Sequence, residues 1–318
     1  MEMRKLGQTN VKISAMVLGT WAMGGLYWKE PNDAASMAAV RRSLELGVNT
    51  FDTAETYGFG RSEMVLGKAL EGVARTSYTM ISKCKYHYTK AEMRASITAS
   101  LERLKTDYLD VYFLHRPPLE NTTTIEEAMA NILELKKEGL IRAVGVSNFD
   151  LPQLKRALAI GPVDVIQPCY NLLWRYEEAE LLPFCRENGI SVITYSSLAQ
   201  GLLTGAFTAD TPISDGREKA ALFQPGVYEK CLEVTRVLSE RSAKYGKTPA
   251  QGAINWLIHT PGITAPIIGG STASQMEENI QAVGWQFEPA DYNAIDEASK
   301  SFMASIPHFV SFFSTDRA

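Results

Sequence analysis

Several things are scarce in this sequence, and each scarcity removes a class of function. There are only four cysteines in 318 residues (Cys84, Cys169, Cys185 and Cys231), and none forms a CxxC pair. That excludes a disulfide framework or a cysteine zinc site of the usual spacing, and predicts a reduced, cytoplasmic protein. Positive charge is not in excess: 32 Lys and Arg stand against 36 Asp and Glu, for a net charge of −4. No nucleic-acid partner is therefore expected. No apolar run reaches the roughly 18 residues of a membrane helix, and the opening MEMRKLGQTN lacks an apolar signal segment. No membrane association is expected. A GxGxxG turn is absent, and so is any low-complexity linker, so residues 1–318 are expected to form one domain.

What is present is a rhythm. After a short hairpin pattern, MRKLGQTNVKI, eight β-rich apolar runs follow: SAMVLGT, VNTFDT, YTMISK, LDVYFLH, IRAVGVSN, DVIQPC, ISVITYS and ITAPIIG. Between them lie segments whose apolar residues recur at three- and four-residue steps, such as KAEMRASITASLERLK and TIEEAMANILELKKEG, the spacing of an amphipathic helix. Strands that alternate with crossover helices must be parallel. Eight such units predict a closed (β/α)8 TIM barrel of the α/β class rather than a doubly wound sheet, whose first turn would want the missing glycines. TPAQGAINWLIHT adds a helix before the last strand, and the C-terminal 30 residues read as a cap.

In such a barrel, chemistry gathers at the C-terminal strand ends. Those ends are Thr20 and Trp21, Asp52, Lys83, His115, Ser147 and Asn148, Gln167, Tyr195 and Ser196, and Gly269. Asp52, Lys83 and His115 come from consecutive strands, and Tyr57 follows Asp52 closely in TFDTAETYG. Taken singly, each has an ordinary structural role: a cap, a loop anchor, a solvated lysine. Together they predict an acid/base site for a carbonyl–alcohol pair. A lysine beside a tyrosine lowers the phenol's pKa, an aspartate holds the lysine, and a histidine meets the substrate oxygen. No nucleophile and no metal cluster is evident. A Schiff-base isomerase or aldolase on Lys83 is disfavoured, because Asp52 keeps that amine charged.

These motifs are where a family resemblance appears. From residue 3 to about 300 the chain resembles the aldo-keto reductase superfamily, nearest the branch of bacterial reductases and potassium-channel β subunits. GVNTFDTAETYGFGRSEMVLGKAL resembles its first signature, ISK carries its lysine and YFLHRP its histidine. The resemblance implies Asp52, Tyr57, Lys83 and His115 as the catalytic residues, with Tyr57 as general acid/base. It implies a dinucleotide held by Ser147, Asn148 and Gln167 at the carboxamide, with Tyr195 stacked on the nicotinamide. Ser196, Leu198, Gln200 and Gly201 would lie along the pyrophosphate, and Gly269, Ser271, Gln275, Glu278 and Asn279 at the adenosine end. Thr20 and Trp21 at the first strand end complete the cofactor set.

Two departures concern the 2′-phosphate. Ala206 stands where the family often has lysine after GLLTG, and Ser271 and Thr272 stand where many members have lysine or arginine. Arg217 is the remaining candidate cation. The resemblance favours NADP(H), with NAD(H) as the alternative. The substrate pocket is expected among Trp21, Tyr27, Trp28, Tyr86, His87, Arg116 and Trp174, joined by Phe309, Phe312 and Phe313 of the tail, an aromatic rim that suits an aromatic aldehyde or the apolar face of a sugar; the expected partner is a small-molecule carbonyl, alcohol or sugar. Two alternatives stand beside carbonyl reduction: an NAD-dependent sugar 1-dehydrogenase, and a nucleotide-sensing regulatory subunit.

Overall fold

A computed structural model describes residues 1–25, 32–86, 88–119, 122–213 and 216–313. An antiparallel hairpin, β1 (Met3–Lys5) and β2 (Lys12–Ser14), comes first. Eight parallel strands then close into a barrel: β3 (Val17–Gly19), β4 (Thr50–Asp52), β5 (Thr79–Cys84), β6 (Leu109–Leu114), β7 (Ile141–Ser147), β8 (Val165–Gln167), β9 (Ser191–Thr194) and β10 (Ala265–Gly269). Ten α-helices are described: α1 (Asp33–Glu45), α2 (Arg61–Ala69), α3 (Lys90–Leu104), α4 (Ile125–Lys137), α5 (Leu151–Ile160), α6 (Leu181–Glu187), α7 (Tyr228–Ala243), α8 (Pro249–His259), α9 (Ala273–Asn279) and α10 (Pro289–Ser305). The fold is the (β/α)8 barrel that the alternating runs predict.

Helix starts follow local chemistry. Thr124, Asp150 and Thr248 each accept the backbone N–H three residues on, while Glu127, Gln153 and Gln251 reach back to close a capping box. Each box satisfies two otherwise orphaned donors.

The strand pleat decides what enters the barrel, since alternate residues face the same way. Val17, Ile81, Val111, Phe113, Ala143, Val165, Ile193, Ala265 and Ile267 form one buried interior cluster. Two residues further toward the C-terminal ends, the same faces carry Lys83 after Ile81, His115 after Phe113, Gln167 after Val165 and Tyr195 after Ile193. Gly145 has no side chain because the Phe113 ring occupies its place: a Cβ there would lie 2.4 Å from the ring. A second, larger apolar cluster lies between strands and helices.

The hairpin belongs to the interior cluster. Leu6, Val11 and Ile13 are buried with the lower barrel residues. Ser14 N–H donates to Thr50 Oγ1 (2.9 Å), Thr79 Oγ1 to the Lys12 carbonyl (2.8 Å) and Gly7 N–H to Ser191 Oγ (2.8 Å). The hairpin thus plugs the end opposite the site. On the outside, α10 packs against α7, with Asp291 held by Lys244 (2.6 Å) and Tyr245 (2.9 Å). The chain then returns toward the open end, where Phe313 meets Trp21 and Tyr195.

Candidate active site

Strand β4 delivers Asp52 and strand β5 delivers Lys83 into the barrel mouth. Lys83 is fully buried and Asp52 only 2% exposed. Lys83 Nζ lies 2.6 Å from Asp52 Oδ1, 2.8 Å from the Thr53 carbonyl and 3.2 Å from the Tyr57 hydroxyl oxygen. An ammonium has three N–H donors and no acceptor, so all three are used. Gln167 Nε2 donates to the other carboxylate oxygen of Asp52 (2.9 Å). The buried pair is therefore complete on both sides, which a buried charge requires. Asp52 and the Tyr57 oxygen outweigh burial and hold the Lys83 ammonium above its ordinary pKa.

Because the Tyr57 oxygen accepts from Lys83, its own O–H is directed elsewhere. Burial pushes the Tyr57 hydroxyl above its ordinary pKa, against the opposing pull of Lys83. This corrects the sequence expectation of a lowered value. The lysine acts as expected, but desolvation of the phenolate is the larger effect, so the free protein keeps Tyr57 as a proton donor. The loop that carries it is fixed by contact between backbones. Gly58 has φ +63°, and a Cβ there would lie 2.1 Å from the Gly24 carbonyl oxygen. A Cβ on Gly24 would lie 2.7 Å from Gly58 N.

His115 stands edge-on to Tyr57, with ring centroids 5.8 Å apart, and its Nδ1 is 3.3 Å from Thr56 Oγ1. Burial, with Lys83 and Arg116 nearby, holds its pKa well below the ordinary value. It is neutral at pH 7 and has a ring N–H to offer an oxygen. Arg116 stacks over Tyr86 (4.0 Å to the centroid), and Tyr86 in turn lies 5.8 Å from the His115 ring.

Ser147, Asn148 and Gln167, the residues expected at a carboxamide, are linked to this group. Ser147 Oγ donates to the Gln167 carbonyl (2.8 Å). Asn148, at φ +61°, donates to the His115 carbonyl (2.9 Å) and accepts from the Tyr195 hydroxyl (2.7 Å). Tyr195 and Phe313 are parallel within 6°, at 6.3 Å. Ser196, Ala199, Gln200 and Gly201 all have positive φ. Non-glycine residues held there are strained, and such strain collects at ligand sites. Gln200 Oε1 is buried there without a donor among the described residues. These features fit a dinucleotide laid across the rim, with an aromatic platform at Tyr195 and a shaped turn beyond it.

Arg217 reaches the same turn, donating to the Gln200 carbonyl (3.1 Å) and lying over Phe207 (4.9 Å to the centroid). Leu198 is half-buried just before that turn. At the last strand, Asn279 Nδ2 donates to the Gly269 carbonyl (3.3 Å), and Ser271 N–H to Gln275 Oε1 (2.7 Å). Glu278 is exposed on α9.

Some expected site residues sit elsewhere. Thr20 is fully buried, with its hydroxyl engaged by the Asp52 carbonyl (3.0 Å) and Ser62 (2.6 Å). It braces Asp52 and has no free hydroxyl for a dinucleotide. Trp174 is packed between Tyr176 and Phe312, 4% exposed, rather than open at the rim. Tyr27, Trp28 and His87 lie outside the described residues. Thr53 and Thr56, which hold Lys83 and His115, were missed in the sequence although they sit inside TFDTAETYG.

A buried Asp52–Lys83–Tyr57 chain of contacts beside a neutral histidine sits at the open end of a (β/α)8 barrel, the place where such barrels carry their sites. Comparison with known proteins then gives its family. Residues 15–300 match the model of the Aldo/keto reductase family. The chain belongs to that family. It is 32% identical over 309 residues to aldo-keto reductase YhdN of Bacillus subtilis, with 93% of each chain covered. It is 33% identical over 320 residues to an NADH-specific methylglyoxal reductase of Escherichia coli, covering 93% of this chain and 98% of that protein. Among solved structures it is similar to the glycerol dehydrogenase AKR11B4 from Gluconobacter oxydans, with a TM-score of 0.87, 28% identity, and 97% and 99% of the two chains covered.

Proposed function

We propose that the protein is an NAD(P)(H)-dependent oxidoreductase that interconverts a small carbonyl compound and its alcohol, with Tyr57 as the proton donor to the carbonyl oxygen. One observation carries the reading: Lys83 has all three donors engaged and gives the third to Tyr57, so the phenolic proton points away from the lysine. The nicotinamide, when bound, supplies the hydride. Residues of this chain do the rest. Tyr195 offers a ring face, Ser147, Asn148 and Gln167 hold the carboxamide, and His115 donates to the substrate oxygen. As Tyr57 releases its proton, the fixed Lys83 charge stabilises the phenolate.

We further propose that NADH serves at least as well as NADPH, setting aside the NADP(H) preference implied by the resemblance. Residues Gly269–Asn279 offer hydroxyls and carboxylates and no cation. Arg42, on the helix beside them, is already paired with Glu277 and Glu45, both at 2.7 Å. A 2′-phosphate wants an available guanidinium or ammonium. The NADH-specific relative supports the same reading. The four cysteines are buried and free, which accords with a cytoplasmic location.

The test is oxidation of NADH and of NADPH by the pure protein with methylglyoxal and a panel of aldehydes, and the reverse with glycerol. Tyr57→Phe should lose about 10²–10⁴-fold in kcat/KM while nucleotide binding, followed by tryptophan fluorescence, stays within about twofold. Near-normal turnover in that variant would overturn the assignment.

A further inference from the structure

The residue before Tyr57 carries a hydroxyl that the proton transfer itself does not use. Thr56 Oγ1 lies 3.3 Å from His115 Nδ1. Among the described residues, neither this hydroxyl nor the His115 ring has another hydrogen-bond partner. The turn that carries Thr56 is held on both sides. Glu55 N–H donates to the Lys83 carbonyl (3.3 Å), Tyr57 N–H to the Ala54 carbonyl (3.0 Å) and Ser62 N–H to the Tyr57 carbonyl (3.2 Å). Threonine is also stiff about χ1. The hydroxyl is therefore presented to the ring from a fixed place.

His115 is held as well, but two freedoms remain. Its carbonyl accepts from Asn148 Nδ2 (2.9 Å), and its ring meets those of Tyr57 and Tyr86, each with centroids 5.8 Å away. Such ring contacts orient the imidazole plane without telling nitrogen from carbon. A half-turn about the Cβ–Cγ bond would exchange Nδ1 with Cδ2 and Nε2 with Cε1 and leave the ring outline unchanged. The second freedom is the proton. Burial, with the Lys83 and Arg116 charges nearby, keeps the ring neutral. One nitrogen then donates and the other accepts, and the bond made by one decides the role of the other. When Nδ1 accepts, Nε2 carries the N–H. When Nδ1 donates, Nε2 is left with a lone pair, which repels a carbonyl oxygen.

We propose that Thr56 is a positioning residue for carbonyl reduction: its hydroxyl donates to His115 Nδ1, and so fixes both the ring flip and the tautomer that presents Nε2–H to the substrate oxygen. This rests on the proposed role of His115 as donor to that oxygen. The turn after β4 then sets both proton-bearing groups of the site, Tyr57 directly and His115 through the residue before it. Valine has nearly the shape of threonine, so Thr56→Val keeps the packing and removes only the hydrogen bond.

The test begins with the unsubstituted full chain, ¹⁵N-labelled at its four histidines. A long-range ¹H–¹⁵N correlation spectrum at about pH 7.5, above the ordinary histidine range, reads which ring nitrogen bears the proton, and the signals lost in His115→Gln identify the ring. His115 should be protonated on Nε2 alone. In Thr56→Val its two nitrogens should move toward the averaged pattern of mixed tautomers. In the same variant kcat with the preferred nucleotide and the fastest aldehyde of the panel should fall about tenfold, while nucleotide binding stays within about twofold. Thr56→Ser should restore both the tautomer and kcat. The proposal is overturned by a parent His115 protonated on Nδ1, by a tautomer unmoved in Thr56→Val, or by turnover unmoved in that variant while the tautomer shifts. The spectrum requires no turnover. Failure of the functional reading, seen as no aldehyde reduced or as normal turnover in Tyr57→Phe, is therefore a result distinct from each of these.

Discussion

The two ends of the barrel are made by the same eight strands and finished in opposite ways. At the lower end, Leu6, Val11 and Ile13 of the hairpin continue the apolar interior and close it. At the upper end, two residues further along the same pleats, the interior becomes Lys83, Asp52, Gln167 and His115. Burial stabilises the first arrangement directly, through area removed from water. It opposes the second, which survives only because every charge there has a partner. The closed end therefore holds the barrel together, while the open end draws on that stability to keep an ammonium and a carboxylate buried beside a partly exposed neutral imidazole.

That contrast can be tested at both ends. The largest effect is expected at the open end. Asp52→Ala leaves the Lys83 charge buried and uncompensated, and should cost about 3–5 kcal/mol of stability, read by urea denaturation, with carbonyl reduction lost as well. At the closed end, Ile13→Ala should cost about 2–4 kcal/mol and leave kcat unchanged at a temperature where the protein stays folded. Equal losses of turnover from the two variants would erase the distinction. Within the polar rim, Ser271→Lys should raise the affinity for NADPH relative to NADH by about tenfold, the worth of one good charge-assisted contact. An unmoved ratio would mean that the 2′-position lies elsewhere.

The smallest effect is in pH. His115 has its pKa held well below the ordinary value in the folded state, so the unfolded chain binds that proton first. Stability contributed by keeping His115 neutral is fully present above about pH 6.5 and is lost as pH falls below it, by about 1 kcal/mol between pH 6.5 and 5.5. His115→Gln should flatten that slope in denaturation curves. An unchanged slope would show that another group titrates there.

The barrel was legible in the sequence because each strand is an apolar run set between helices with recognisable starts and stops. Its strand lengths were not: SAMVLGT contributes only Val17–Gly19 to the ladder, since hydrogen-bond register between neighbours, not hydrophobicity, decides where pairing ends. Asp52, Lys83, His115 and Tyr57 were legible because polar residues at the ends of consecutive buried strands need a reason to be there. The direction of the Tyr57 shift was not, because the balance between a nearby cation and desolvation depends on depth, which spacing does not encode. Thr20 and Trp174 misled for a similar reason. A strand-end threonine or a loop tryptophan reads alike whether it faces the mouth or is covered, and here Ser62 and Phe312 cover them.

The contact between Gly24 and Gly58 reaches beyond local geometry. The segment after β3 that bears Trp21 and the segment after β4 that bears Tyr57 touch with no side chain between them, so neither can shift alone. Mechanically they form one joint. A change that moves the Trp21 segment will also shift the Tyr57 phenol relative to its lysine, so on the proposed mechanism a wider pocket comes with slower proton delivery. If the proposed mechanism holds, pocket shape and chemical rate are coupled traits on this side of the mouth.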